Sequence, residues 1–319
     1  MTSYRNTLPQ LGEKLFLTDG GLETTLIFHE GIELPDFAAF HLLRDASGIA
    51  ALRKYFRTYG EIARRFGAGL ILESATWRAN PDWARRLGYS DAELDAANEA
   101  SIRLLEEVRA EYESDQTPVV ISGCVGPRGD GYVAGNLMSE AEAEAYHAPQ
   151  VAAFANAAAD MACAITMNYV EEAVGIARAA KRVRLPVAIS FTVETDGHLP
   201  TGESLASAIQ RVDDATRGYP AYYMINCAHP THFAGALAEG GRWRDRIRGV
   251  RANASRRSHA ELNESPDLDA GNPAELGQQY RELLGRLPNL TVVGGCCGTD
   301  HRHVEQIAEA CASRLHAVA

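Results

Sequence analysis

The sequence predicts an α/β fold, a closed (β/α)8 TIM barrel in a single domain spanning residues 1–319. Three observations carry that prediction. Eight short, β-branched apolar runs alternate with longer amphipathic stretches rich in Ala, Glu and Arg. The length of 319 residues is ordinary for one such barrel. The distinctive polar residues (Asp19, Glu73, Thr76, Asn226, Cys227, Asn253, Cys296 and Cys297) fall at the C-terminal ends of the apolar runs, where barrels of this kind carry their chemistry.

Taken in order, the runs at 15–18, 69–73, 118–122, 161–166, 186–192, 221–226, 248–253 and 291–294 read as strands. Helical periodicity fills 49–66, 91–113, 139–159, 170–181, 204–216, 231–238, 273–287 and 301–315. Asp91 and Ser139 are placed to cap the second and third helices. Strict alternation implies parallel strands joined by right-handed crossovers. An open doubly wound sheet is the competing solution, but no GxGxxG follows the first strand. The polar, helix-poor stretch 253–272 reads as a long loop at the barrel mouth.

Composition excludes several classes. A formal net charge of −11 with no basic stripe argues against nucleic-acid binding and against attraction to an anionic membrane. Arg251, Arg256 and Arg257 form only a small local cluster. No apolar run approaches a bilayer span, and the first residues lack a secretory pattern. Six cysteines at this length suit a reducing, cytoplasmic setting. Cys124, Cys163 and Cys311 are most simply small packing residues.

The other three cysteines differ. Cys296 and Cys297 sit in Gly294-Gly295-Cys296-Cys297-Gly298-Thr299, directly after the last strand, and Cys227 ends the strand-like run Tyr222 to Asn226. Glycine flanks let the backbone turn both sulfurs one way. Three thiolates at strand ends suit a Zn2+ ion with one position open to substrate. Such a site carries excess negative charge and is a modest Lewis acid, yet it still deprotonates an incoming thiol. Alkyl transfer to sulfur fits it better than water activation.

Asp19-Gly20-Gly21-Leu22-Glu23-Thr24 follows the first strand. Asp19 reads as an acid for a substrate ammonium or as a helix cap. Glu73, Thr76 and Trp77 end the second strand, with Trp77 a candidate for cation–π stacking on a methyl donor. Arg78 beside it can bind a carboxylate. His229 and His232, just after Cys227, suit ligand support or helix capping.

Together these residues resemble the homocysteine S-methyltransferase family of zinc-dependent thiol methyltransferases. The resemblance runs through Asp19-Gly20-Gly21 with Glu23-Thr24, Ser122 to Pro127, Ser190-Phe191 with Asp196 to Gly202, Asn226-Cys227 and Gly294 to Thr299. It implies zinc on Cys227, Cys296 and Cys297, with homocysteine sulfur as fourth ligand and Asp19 at the homocysteine amino group. The substrate-binding set then comprises Asp19, Gly20, Gly21, Glu73, Thr76, Trp77, Glu194 and Asn226. A sulfonium or quaternary ammonium compound is the expected methyl donor, and a homo-oligomer is compatible. One departure stands out: family members carry a Glu-Thr pair at the end of the fourth strand, and here Ile165 precedes Thr166. Glu194 or Glu73 is placed to compensate, or the acceptor thiol differs from homocysteine. A zinc hydrolase or lyase, or a thiol-binding protein without catalysis, are the competing functions.

Overall fold

The computed structural model describes residues 3–312 except 136 and 266. Eight parallel strands close in sequence order into a barrel. They are β1 (Phe16–Leu17), β2 (Gly69–Glu73), β3 (Val119–Val125), β4 (Met161–Met167), β5 (Val187–Phe191), β6 (Tyr222–Asn226), β7 (Ile247–Ala252) and β8 (Val292–Gly295). Closure is made by β1, where Phe16 registers with Gly69 of β2 on one side and Val292 of β8 on the other.

One long helix follows each strand: α1 (Ala46–Phe66), α2 (Asp91–Tyr112), α3 (Glu140–Asn156), α4 (Val170–Arg182), α5 (Leu205–Thr216), α6 (Pro230–Ala238), α7 (Pro273–Arg286) and α8 (His301–Ala310). The last turn expected for α8, at 313–315, lies outside the described residues. No helix among the described residues is long and apolar enough to cross a membrane.

Period-two alternation divides the strands between two cores. Outward residues such as Leu17, Leu70, Ile121, Ala162, Ile189, Ile225, Val250 and Val293 pack against the helix layer. Inward residues, including Phe16, Ile71, Val120, Met161, Cys163, Ala188, Tyr222, Met224 and Val292, fill the barrel. Fit is tight enough to dictate glycine. A Cβ on Gly69 would lie 2.3 Å from the Phe16 ring, and one on Gly123 would lie 2.2 Å from the Phe154 ring. The N-terminal segment closes the lower end, with Leu8 in the interior cluster and Gln10 Nε2 donating to Met161 Sδ at 3.1 Å.

Two local expectations are corrected. The cap of α2 is Ser90, whose hydroxyl accepts from the Glu93 amide in a capping box, so Asp91 is the first helical residue. The stretch 253–272 contains a short helix, His259–Asn263, capped by Ser258 and Glu261 in the same reciprocal way.

Candidate active site

At the end of β6, Asn226 turns its side chain inward. Its Oδ1 accepts from Ser190 Oγ at 2.6 Å and from the Thr166 amide at 3.0 Å, and its Nδ2 donates to Thr166 Oγ1 at 2.9 Å. Simple alternation would then send Cys227 outward. Cys227 instead adopts φ 52°, a left-handed conformation that costs a non-glycine residue roughly 1–2 kcal/mol and redirects its side chain over the barrel. From β8, the Gly294-Gly295 pair passes where no Cβ fits: added carbons would lie 1.9 Å from Thr18 Oγ1 and 2.0 Å from Thr299 Oγ1. The turn beyond is held by Cys296 N donating to Ala252 O at 2.9 Å and Gly298 N donating to Thr24 Oγ1 at 3.1 Å.

These two strand ends bring the sulfurs of Cys227, Cys296 and Cys297 within 4.8 Å of one another. Cys227 and Cys297 sulfurs are 3.8 Å apart, while Cys227 and Cys296 are drawn together as a disulfide with Cα atoms 5.5 Å apart. A tetrahedral zinc with Zn–S bonds of about 2.3 Å needs sulfurs about 3.8 Å apart. The donor set therefore fits zinc once the cysteines are reduced. Cys124, Cys163 and Cys311 are buried elsewhere.

Asp19, which follows β1, is a paired acid. Its Oδ1 accepts from Arg251 Nη2 at 2.5 Å and its Oδ2 from Tyr55 Oη at 2.8 Å. Burial pushes its carboxyl up, opposed by Arg251 and Tyr55. Burial also works against the Arg251 charge, but Asp19 and Glu73 outweigh it and hold the guanidinium above its ordinary range. Arg251 is thus no part of a surface cluster. It points into the barrel from β7, donating to Gly295 O at 3.1 Å and Gly20 O at 3.3 Å. Its inward parity with Gly249 was the available signal. Gly20 and Gly21 serve through their backbones, Gly21 N donating to Thr299 O at 3.0 Å.

The other expected substrate contacts are distributed differently. Glu73 lies inside the barrel, and burial pushes its carboxyl up to about 7. Thr76 commits its hydroxyl to Cys124 O at 2.7 Å, beside Ser74 Oγ at 2.6 Å. Glu194 pairs with His259 Nδ1 at 3.1 Å through its Oε1. Trp77 has its ring covered by Arg78, whose guanidinium carbon is 4.3 Å from the ring centroid. A cation–π partner is already present there. His229 caps α6, accepting from Thr231 N at 3.3 Å, and His232 meets Arg256 O at 2.8 Å.

Three more side chains sit at this mouth: Glu23, which belongs to the motif after β1, and Tyr132 and His259, which the sequence did not single out. Tyr132, in the loop after β3, donates to Cys227 Sγ at 3.4 Å and lies 3.5 Å from Cys297 Sγ. His259 stacks on it with ring centroids 4.2 Å apart and hydrogen-bonds the Cys227 carbonyl. Glu23 is half-buried; burial pushes its carboxyl up to about 6, and its charge is felt at Cys297 and Tyr132.

Known proteins share this chain's fold and family. Residues 16–311 match the family described as Homocysteine S-methyltransferase. Homocysteine S-methyltransferase YbgG of Bacillus subtilis (strain 168) is 25% identical over 240 residues, covering 69% of this chain and 72% of that protein. Among solved structures, the homocysteine methyltransferase MmuM of Escherichia coli in its oxidized form superposes with a TM-score of 0.76 at 21% identity, covering 97% of this chain and 99% of the other. Its metallated form gives a TM-score of 0.73 at 20% identity, covering 95% and 98%. The chain belongs to the homocysteine S-methyltransferase family of thiol methyltransferases.

Proposed function

We propose that this barrel is a zinc-dependent S-methyltransferase that moves a methyl group from a sulfonium or quaternary ammonium donor to homocysteine, giving methionine. The convergence of Cys227, Cys296 and Cys297 at the barrel mouth carries the reading. All 319 residues act as one unit in it, in a reducing, cytoplasmic setting that keeps Cys227 and Cys296 as thiols. A hydrolase reading has no comparable support, because the convergent donors are sulfurs rather than the His and carboxylate set usual for hydrolytic zinc.

Zinc, when bound, supplies the charge that makes an incoming thiol a nucleophile at neutral pH. The rest falls to the chain. Asn226 holds the β4, β5 and β6 ends together, and its Nδ2 lies 4.0 Å from Cys296 Sγ. Tyr132 sets its hydroxyl against the Cys227 and Cys297 sulfurs, and His259 stacks on its ring. Glu23 places an acid where an onium donor approaches. In the transfer, the acceptor thiol first gives its proton to solvent. A sulfur lone pair then forms the new S–CH3 bond as the C–S+ or C–N+ bond breaks, and the donor leaves as a neutral sulfide or amine. Orientation and desolvation, rather than a proton relay, lower the barrier.

The test is Cys296→Ala in reducing buffer, with metal analysis and methyl transfer to homocysteine from S-methylmethionine, S-adenosylmethionine, betaine and sulfoniopropionate. Wild type should bind one zinc and turn over with at least one donor, and the variant should lose both properties. Full-rate transfer by metal-free wild type would overturn the mechanism.

A further inference from the structure

Arg78 is a buried cation that forms no ion pair among the described residues. It follows Trp77 beyond the end of β2, and the residue is 8% exposed. Two indoles enclose the guanidinium, whose carbon lies 4.3 Å from the Trp77 centroid and 3.9 Å from the Trp83 centroid. Its hydrogen-bond acceptor is a single backbone carbonyl, Gly129 O, at 3.0 Å from Nη1. Nε is buried without a partner, and no carboxylate among the described residues forms an ion pair with Arg78. Burial lowers its pKa, against the pull of Asp130, Tyr132 and Glu23. A desolvated guanidinium with unused donors is costly unless an anion completes it. Its planar fork suits a carboxylate in particular.

Its position points to the same pocket as the sulfurs. Gly129, which receives the Arg78 hydrogen bond, is three residues from Tyr132, whose hydroxyl reaches Cys227 and Cys297. Three residues span at most about 11 Å. Trp77 is tied to the same wall, its Nε1 donating to Ile165 O at 3.4 Å. Of the acids near this mouth, Asp19 is paired with Arg251 and Tyr55 and Glu194 with His259, and position 165 is apolar, whereas Glu73 and Glu23 form no ion pair among the described residues.

We propose that Arg78 is the carboxylate-recognition residue of the substrate pocket, so that substrate selection at this mouth runs through an acidic group on the substrate. The proposal rests on the thiol methyl-transfer reading for the identity of the pocket, and the carboxylate belongs to either the acceptor or the donor. Both sources present the same fork-compatible group.

The experiment compares wild type, Arg78→Met and Arg78→Lys, all zinc-loaded and reduced, with zinc content and far-ultraviolet dichroism confirming the fold. Calorimetric binding is measured for homocysteine, for 4-mercaptobutyrate, which lacks the amino group, and for 3-mercaptopropylamine, which lacks the carboxylate. Separately, steady-state KM is measured for sulfoniopropionate and for its carboxamide. Loss of charge-assisted bonds should weaken the carboxylate-bearing member of one pair roughly ten- to hundred-fold in Arg78→Met, and less in Arg78→Lys. The member without a carboxylate should change less than about two-fold, a selectivity that mere structural damage would not produce. An effect on the thiols assigns the carboxylate to the acceptor, and an effect on the donors assigns it to the donor. Equal changes within each pair, or none in either, overturn the proposal. Absence of methyl transfer with any donor, alongside carboxylate-selective thiol binding, sinks the transfer reading and leaves Arg78 in its role.

Discussion

Breaking the Asp19–Arg251 pair should reveal how the barrel mouth is held. Both side chains are nearly solvent-free, 7% and 8% exposed. In Arg251→Met, Asp19 keeps only the Tyr55 hydroxyl, Gly295 O loses its Nε donor, and Gly20 O keeps only Tyr55. Removing one member of a buried pair typically costs about 3–5 kcal/mol, most of it the charge left behind. Asp19→Asn should cost less, about 1–3 kcal/mol, because Glu73 already interacts with Arg251 and can ionise as its replacement partner. The double variant removes both charges. It should be more stable than the sum of the singles by about 2 kcal/mol, within the usual coupling range for contacting residues. Urea unfolding followed by far-ultraviolet dichroism in reducing buffer gives the three differences. Single costs that add to the double within about 0.5 kcal/mol would refute the coupling. A cost below about 1 kcal/mol for Arg251→Met would refute the buried-charge argument altogether.

Two further outcomes follow from the same geometry. Glu73 has its carboxyl raised from 4.5 to about 7 by burial, so the folded state prefers it protonated. That preference is fully expressed below about pH 4.5 and lost as pH rises through about 7, a decline of about 3 kcal/mol across the window. Urea midpoints at pH 5 and pH 8 should show this loss in wild type and a smaller one in Glu73→Gln; equal losses would place the titration elsewhere. Tyr132→Phe removes the hydroxyl that faces two of the sulfurs. Since neutral hydrogen bonds contribute about 0.5–1.5 kcal/mol, acceptor KM should move roughly two- to ten-fold with kcat little changed. A kcat loss beyond roughly hundred-fold would instead give Tyr132 a proton-transfer role.

Much of the barrel was legible because its strands are short apolar runs with sharp ends. The expected 69–73 coincides with β2, and 221–226 exceeds β6 by one residue. The run at 118–122 fell short of β3, which continues through Gly123 and Cys124. Gly123 there clears space for the Phe154 ring. The cysteine cluster was legible because Gly294 to Thr299 is unusual in any context. The roles of Arg251, Tyr132 and His259 were not, since they depend on partners far along the chain. The Asp19–Arg251 contact spans 232 positions and the His259–Cys227 contact spans 32. Cys227 and Thr166 also break strand alternation through left-handed backbone, φ 52° and 66°, which no periodicity reveals. The helix at His259–Asn263 did have a local signal, Ser258 followed by Glu261, inside a stretch read as loop.

The pairing of β1 with β8 has a consequence for how the enzyme comes into being. The site straddles that seam: Gly21 bonds to Thr299, and Gly298 to Thr24. A nascent chain that has not reached Cys296 carries one of the three clustered cysteines, and Asp19 waits at the other end for its neighbours. The proposed site is therefore complete only when the last strand of the barrel docks against the first. Zinc uptake, on the function proposed above, would then mark barrel closure.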